Sequence, residues 1–277
     1  MSESGIRSVG MIGLGKMGRP MARHLMAAGY AVTGFDPDPD AAKAAGSCGV
    51  KLADSCTAAA AKSDLILVCV GFQEQVEKCV FAEGGVLAGV ANNAVLAIAS
   101  TVAPSYMIAL AERVRQHGLE VIDIPLARGE RAAEEGSLLV LAGGDEAVLA
   151  RCRPALETFS GAIFRLGDIG AGQVAKAVNN MLLWTCLCAN VEGMDFAAAF
   201  GIDRELLRQA LMKSSGANWA LETRADERPA LWAEKDMMLL LAEADVARLA
   251  MPVAGTVKEA IKAFKIARDL PMPKLGP

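Results

Sequence analysis

Short apolar runs alternate with helix-length amphipathic stretches over the first ~165 residues, and then the alternation stops. The runs SVGMIGLG (8–15), AVTGFD (31–36), DLILVCV (64–70), AVLAIAS (94–100), LEVIDIP (119–125) and LLVLAGG (138–144) each predict a strand. Between them, KMGRPMARHLMAAG (16–29) predicts a helix ending at Gly29, and PSYMIALAERVRQHG (104–118) another. Continuous apolar strands joined by helices predict a parallel sheet covered on both faces. Beyond FRLGDIGAG (164–172) only helical periodicity remains. One helix is expected from near Gly172 to about Phe200, stopped by Gly201, and others over 203–215, 233–249 and 252–270. The stretch SGANWALETRADERPALW reads as a loop. An α/β domain over residues 1–167 and an all-α domain over residues 168–277 follow from this pattern.

Charge and composition remove several partners. The net charge is −4 and no basic block occurs, so nucleic acid is not expected. The most apolar helix is cut by Asn190, Glu192 and Asp195, so no membrane span is expected. The opening MSESGIRS lacks the apolar run of a signal peptide. Seven scattered cysteines without a C-x-x-C pair read as reduced thiols of a cytoplasmic protein, with no metal site.

The first strand-turn-helix carries Gly13-Leu14-Gly15-Lys16-Met17-Gly18. This G-x-G-x-x-G follows a strand and opens a helix. Its glycines allow a tight turn, close approach of a pyrophosphate and close helix–strand packing, and the helix N-terminus offers free N–H groups to the phosphates. Asp36 follows at the end of the second strand, where a carboxylate accepts hydrogen bonds from a ribose 2′-hydroxyl and repels a 2′-phosphate. No arginine follows it, so NAD is expected over NADP.

A nicotinamide enzyme needs an acid/base beside the carbon that exchanges hydride. The chain has two histidines. His24 lies inside the first helix, where it reads as a packing residue, and His117 sits at a helix C-terminus, where an imidazolium suits the dipole. The run GAGQVAKAVNN (170–180) offers Lys176 instead. On a helix Lys176 and Asn180 share a face, Asn179 flanks them, and Gly172, one turn earlier, would leave space above the lysine. Partial desolvation would lower the lysine pKa towards useful values. A solvated lysine in a first turn fits the spacing equally.

Several motifs in order, GLGKMGRPMARHL, STVAP (100–104), DIPLARGERAAEEGSL (123–138), GAGQVAKAVNN and EKDMMLLLAEA (234–244), resemble the β-hydroxyacid dehydrogenases, the 3-hydroxyisobutyrate dehydrogenase group. That resemblance covers nearly the whole chain and extends to the dinucleotide domain of the 6-phosphogluconate dehydrogenases. It implies a Rossmann-type domain, a helical domain built round one long helix, and an active site between them. It implies Lys176 as catalytic acid/base with Asn180 as companion, and Asn179 beside the substrate. It places Thr101 near the nicotinamide, Cys69 and Val70 along the cofactor, and Lys235 approaching it, although Lys235-Asp236 could equally be a surface ion pair. The implied activity is NAD-dependent interconversion of a small β-hydroxy acid and its semialdehyde. Imine reductases, usually with Asp or Tyr at the lysine position, and a non-catalytic dinucleotide-binding module are the alternatives.

The substrate loop departs from the family pattern D-x-P-V-S-G-G. It reads Asp123-Ile124-Pro125-Leu126-Ala127-Arg128-Gly129, with the serine lost and an arginine where glycine is usual. Ala127, Arg128 and Gly129 are the expected substrate-binding residues. The forked cation of Arg128 suits a carboxylate, sulfonate or phosphate, and a similar arginine appears in the branch reducing sulfolactaldehyde. Pairing with Glu130 or Glu134 is the plain alternative. The long apolar helix favours a homodimer or homotetramer, since such a helix must be covered.

Overall fold

The computed structural model describes residues 5–91, 93–224 and 232–272. The chain divides into two compact units, Met1–Lys176 and Ala177–Pro277.

In the first unit the strands are β1 (Ser8–Ile12), β2 (Ala31–Phe35), β3 (Lys51–Leu52), β4 (Leu65–Val68), β5 (Val95–Ile98), β6 (Glu120–Asp123), β7 (Leu126–Ala127), β8 (Leu138–Gly143) and β9 (Ser160–Gly167). The helices between them are α1 (Gly18–Ala27), α2 (Pro39–Ser47), α3 (Cys56–Ala60), α4 (Gln73–Phe81), α5 (Pro104–Arg115), α6 (Gly129–Glu135) and α7 (Glu146–Leu156). The sheet runs β3-β2-β1-β4-β5-β6-β8-β7, with β9 on β8.

From β3 to β6 every pairing is parallel, as the apolar runs predicted. The remainder corrects that expectation. β8 runs antiparallel to β6 and β7, and only β9 is parallel to it, so the sheet is mixed. β7 continues β6 past Pro125, since Asp123, Leu126 and Ala127 face Gly143, Val140 and Leu139 of β8 in one register, and the chain reverses only through α6, so β8 returns antiparallel. β9 falls in a stretch for which no strand was predicted.

Alternation along the strands sorts the core onto two faces. Met11, Leu67 and Ala97 pack with Met21 and Leu25 of α1 and Leu149 of α7. Ile66, Val68, Leu96 and Ile98 pack with Val76 of α4 and Met107 and Leu110 of α5. All four residues of β4 are buried, because both faces are covered. Each such side chain contributes about 1.5–3 kcal/mol.

The long helix α8 (Ala171–Ala199) carries the chain from the first unit into the second. The second unit adds α9 (Arg204–Leu211), α10 (Trp219–Thr223), α11 (Ala233–Val246) and α12 (Pro252–Ile266). α10 lies in the stretch read as a loop, whose residues 225–231 fall outside the described ones. It forms because Asn218 caps it, accepting from the Leu221 N–H at 2.9 Å. Met237 and Leu240 of α11 pack with Val257 and Ile261 of α12 and Cys188 of α8. A fully buried ion pair, Lys265 Nζ to Glu234 Oε2 at 2.9 Å, fastens α12 to α11.

Candidate active site

The strand order reverses direction between β1 and β4, the point at which ligands bind at the carboxyl ends of an open α/β sheet. The glycine turn lies there. Gly13 has φ of +92°, and a Cβ on it would come within 2.2 Å of the Cys69 carbonyl oxygen. On Gly18 a Cβ would come within 1.9 Å of the Gly13 carbonyl oxygen. Both glycines are therefore required by the fold itself. Gly15 is different: a Cβ there would meet nothing within 4 Å. The backbone at Gly15 is open, and no side chain caps the N-terminus of α1. This is the cradle a pyrophosphate needs, and the residues present fit a bound dinucleotide.

Asp36 is bound into this turn. Its Oδ2 accepts from the Leu14 N–H at 2.7 Å and its Oδ1 from the Asp38 N–H at 2.9 Å. The carboxylate thus fixes the turn while keeping lone pairs for a ribose. Cys69 and Val70 follow β4 and touch Gly13, while the Val70 N–H donates to Ser100 Oγ at 2.8 Å. Burial pushes the Cys69 thiol up to about 12, so it stays protonated and apolar. Lys16 and Met17 complete the turn, and Lys16 reaches Glu130 of α6 at 3.3 Å.

Three residues outside the expected site hold the start of α8 against this region. Asp123, at the end of β6, is completely buried. Its Oδ1 accepts from the Gly170 N–H at 2.8 Å and its Oδ2 from the Gln173 N–H at 2.9 Å. A carboxylate here satisfies N–H groups that the helix end leaves open and faces the positive end of its dipole. Gln173, also fully buried, accepts from the Val102 N–H at 3.1 Å and donates to the Ser100 carbonyl at 2.9 Å. It grips the residues on either side of Thr101. Lys176, half-buried, stands one turn further along the same helix. The third residue, Ser100, links this loop to Val70. The sequence signal for Gln173 was its place three residues before Lys176, one helical turn away.

Gly172 is corrected by this geometry. Its missing Cβ does not clear space above the lysine. A Cβ there would lie 2.3 Å from the Leu141 carbonyl oxygen and 2.6 Å from Asp123 Oδ2, so the glycine lets α8 approach the sheet.

Arg128 occupies left-handed backbone, φ +83°, where only glycine is unstrained. It is exposed, and its Nη1 donates to the Ser137 carbonyl at 3.0 Å. Neither expected carboxylate partner takes it: Glu130 pairs with Lys16 and Glu134 with Arg23. Ala127 is buried in β7 and Gly129 opens α6. His24 reaches across to α6 as well, its Nε2 lying 3.2 Å and 3.1 Å from the Ala133 and Glu134 carbonyl oxygens.

Within the second unit, Asn180 is buried and donates to Asp236 Oδ2 at 2.7 Å, while Asn179 Nδ2 donates to Asn180 Oδ1 at 3.0 Å. Trp184 Nε1 donates to the same Asp236 oxygen at 3.3 Å, and Lys235 lies 3.3 Å from its other oxygen. Lys235 and Asp236 are both buried, so this is not a surface ion pair. Among the described residues no cluster of His, Cys, Asp and Glu could hold a metal, and no helix is long and apolar enough to cross a membrane.

Comparison with known proteins agrees with this geometry. The NAD binding domain of 6-phosphogluconate dehydrogenase matches residues 8–167, and the NAD-binding domain of NADP-dependent 3-hydroxyisobutyrate dehydrogenase matches residues 170–269. The chain is 36% identical to 3-hydroxyisobutyrate dehydrogenase of Pseudomonas aeruginosa, over 77% of this chain and 72% of that one. It is 34% identical to the NAD-dependent L-serine dehydrogenase of the same organism, over 78% and 73%. The solved structure of Mycobacterium tuberculosis 3-hydroxyisobutyrate dehydrogenase with L-serine superimposes with a TM-score of 0.84, at 28% identity over 94% of each chain. A glycine turn open only where a pyrophosphate must approach, followed in order by these matched segments, makes this chain a member of the β-hydroxyacid dehydrogenase family, NAD(P)-dependent oxidoreductases that act on a CH–OH group.

Proposed function

We propose that the protein interconverts a small β-hydroxy acid and its semialdehyde, with Lys176 as general acid/base. The observation that carries this reading is the docking of α8: Gln173, three residues before Lys176, holds both neighbours of Thr101 at the carboxyl end of β5. The turn before the lysine is held on the Thr101 loop, whose Ser100 in turn bonds Val70, which supports a role for Lys176 in the site rather than as a solvated helix end.

Bound NAD supplies the hydride acceptor. In oxidation the neutral Lys176 amine takes the proton of the substrate hydroxyl. In reduction its ammonium stabilises the charge that grows on the carbonyl oxygen and then returns the proton. Asn180, held by Asp236, keeps the amine or the substrate oxygen in register, with Asn179 beside it. Asp36 selects NAD over its 2′-phosphorylated form, since no arginine follows it. Lys235 is assigned to the cofactor on the family pattern.

The names of the relatives bear on the substrate. 3-Hydroxyisobutyrate and serine each carry a hydroxymethyl group on the carbon next to a carboxylate. A substrate of that class brings an anion close to the reacting carbon, and the Ala127-Arg128-Gly129 segment is where we place its recognition, with Arg128 as the cation.

The test is NADH oxidation with methylmalonate semialdehyde, succinic semialdehyde, tartronate semialdehyde, glyoxylate and sulfolactaldehyde, and NAD reduction with 3-hydroxyisobutyrate and L-serine. At least one should turn over, and Lys176→Ala should lower kcat by about 10²–10⁴-fold, the range for a lost general acid/base. NADH binding without turnover of any, or turnover indifferent to the substitution, sinks the reading.

A further inference from the structure

We propose that Gln173 is a positioning residue for the reaction: it holds Thr101 and Lys176 at one fixed offset, so that its loss slows the chemical step and leaves cofactor binding in place. This rests on the reading of Lys176 as general acid/base and of Thr101 as a neighbour of the nicotinamide.

Thr101 lies between two peptide planes, and one side chain holds both. The Ser100 carbonyl belongs to the plane before Thr101 and the Val102 N–H to the plane after it. Gln173 Nε2 donates to the first at 2.9 Å, and Gln173 Oε1 accepts from the second at 3.1 Å. These partners leave no choice of amide orientation, since a carbonyl only accepts and an N–H only donates. A neighbouring parallel strand would use the same two groups to bracket residue 101. β5 ends at Ile98, and beyond it the side-chain amide takes the place of that strand. Because each peptide unit is planar, fixing one polar group on either side of Thr101 leaves its backbone little freedom, and its side chain keeps only its staggered rotamers. The same loop is held at two further points. The Val70 N–H donates to Ser100 Oγ at 2.8 Å, and the Ala103 N–H donates to Gln73 Oε1, at the start of α4, at 3.2 Å.

The other side of this link is a rigid helix. Gln173 is fully buried near the start of α8, and Asp123 Oδ2 accepts from its backbone N–H at 2.9 Å. Lys176 follows three residues later on the same side of the helix, about 4.5 Å further along the axis. One residue thus bonds the end of β6 through its backbone and both neighbours of Thr101 through its side chain, one turn before the lysine. Packing alone does not call for an amide here, since a leucine fills a comparable volume. The amide adds a donor and an acceptor matched to two backbone groups of one loop, and burial of an amide is tolerated only when both ends are matched. A purely structural amide would satisfy the same two groups, so the two roles part in the kinetics.

The experiment uses the full chain and the aldehyde that turns over. On each sample kcat is counted per NADH-binding site, titrated by fluorescence. Gln173→Leu removes both bonds. We expect its kcat per site to fall by about 10–10²-fold, the scale of a misplacement near 1 Å, with the NADH Kd within about threefold of wild type. Gln173→Glu keeps the acceptor for the Val102 N–H, but it has a proton for the Ser100 carbonyl only while its carboxyl is protonated. Burial and the Asp123 carboxylate at the end of β6 favour that form, and the Lys176 ammonium on α8 opposes it. Its kcat, taken as a ratio to wild type at each pH, should therefore climb as pH falls, while that of Gln173→Leu stays low throughout.

A wild-type kcat in Gln173→Leu overturns the proposal. So does a loss that vanishes when counted per NADH site, which would report a smaller folded fraction. Should Gln173→Leu fail to fold, Gln173→Glu decides: a ratio that does not rise with acid overturns the proposal. Lys176→Ala, run alongside, separates the two readings. If it loses turnover while the glutamine variants keep theirs, the role of Gln173 fails alone. If it keeps wild-type turnover, or if no aldehyde turns over, the lysine reading fails and the role of Gln173 with it.

Discussion

Asp123 is fully buried, and its titration has a definite sign. Burial pushes its pKa up, and the N–H groups of Gly170, Gln173 and Gly172 offset only part of that, so it lies above the ordinary 3.8. The folded chain then holds this proton more tightly than the unfolded chain does. The group's contribution to stability is fully present below the unfolded value and is lost as pH rises through the folded one. A ¹³C titration of the Asp123 carboxyl should show a midpoint above 3.8, and the stability difference between wild type and Asp123→Asn should shrink across that window. A midpoint at or below 3.8 would mean that the N–H bonds outweigh burial.

Arg128 allows a second separation, of stability from specificity. Arg128→Gly removes a left-handed strain of about 1–2 kcal/mol. It also loses the bond to Ser137, about 1 kcal/mol, and adds about 0.5–1 kcal/mol of unfolded-state entropy. The melting temperature should therefore barely move, while KM for the anionic aldehyde rises about tenfold or more if the guanidinium holds the anion. An unchanged KM removes Arg128 from the site. At this scale the sequence disclosed the glycine turn, whose spacing sits between a strand and a helix, and offered Lys176 and Asn180 as candidates on one helical face. It did not disclose that Asp123 and Gln173 anchor the lysine's helix, because each bonds a backbone group of a segment remote in the chain. The strain at Arg128 was equally hidden, since a left-handed backbone leaves no mark in an arginine.

The elements differ in how far their neighbours determine them. β4 and β5 were legible because strands buried on both faces are apolar throughout, and β1, β2 and β6 because their apolar residues still cluster into short runs. β3 and β7, two residues each, carry no period to detect. α10 depends on one cap, Asn218, which also exchanges amide hydrogen bonds with Asn190 of α8 at 3.1 Å. The docking of α8 is the element-scale feature with most consequence. Gly172→Ala drives a methyl into the Leu141 carbonyl and the Asp123 carboxylate, and should cost about 2 kcal/mol or more. Because α8 must shift to relieve it, kcat should fall with stability. Gly255→Ala on α12 is the control: nothing lies within 4 Å of the new methyl, and relief of helical glycine should stabilise by about 0.5–1 kcal/mol. Urea unfolding of the two variants checks both signs. Equal effects would show that the close approach at Gly172 does not hold in solution.

For the whole molecule, the question is what covers the apolar surface of the helical unit. Phe196, Phe200 and Leu206 are 68%, 72% and 65% exposed. Phe196 and Phe200, with Met194, Ile202, Leu207 and Leu211, line a groove of about 350 Å³ between α8 and α9. Contiguous aromatic and aliphatic exposure of this kind marks an interaction site. We infer a second copy of the chain as its occupant, because the groove and the phenylalanines that could fill it lie on one surface, as an isologous two-fold contact requires. The ring centroids of Phe196, on α8, and Phe200, just past its end, lie 4.9 Å apart, so a single charge between them desolvates badly in any paired state. Light scattering during gel filtration should give a mass of two or four chains for the wild type. Phe200→Glu should shift it towards one chain, with dissociation deepening on dilution as mass action demands. The variant should keep its secondary structure, since Phe200 is exposed and lies just past the end of α8. A wild-type mass of one chain at micromolar concentration would remove the second copy and leave the groove to another partner.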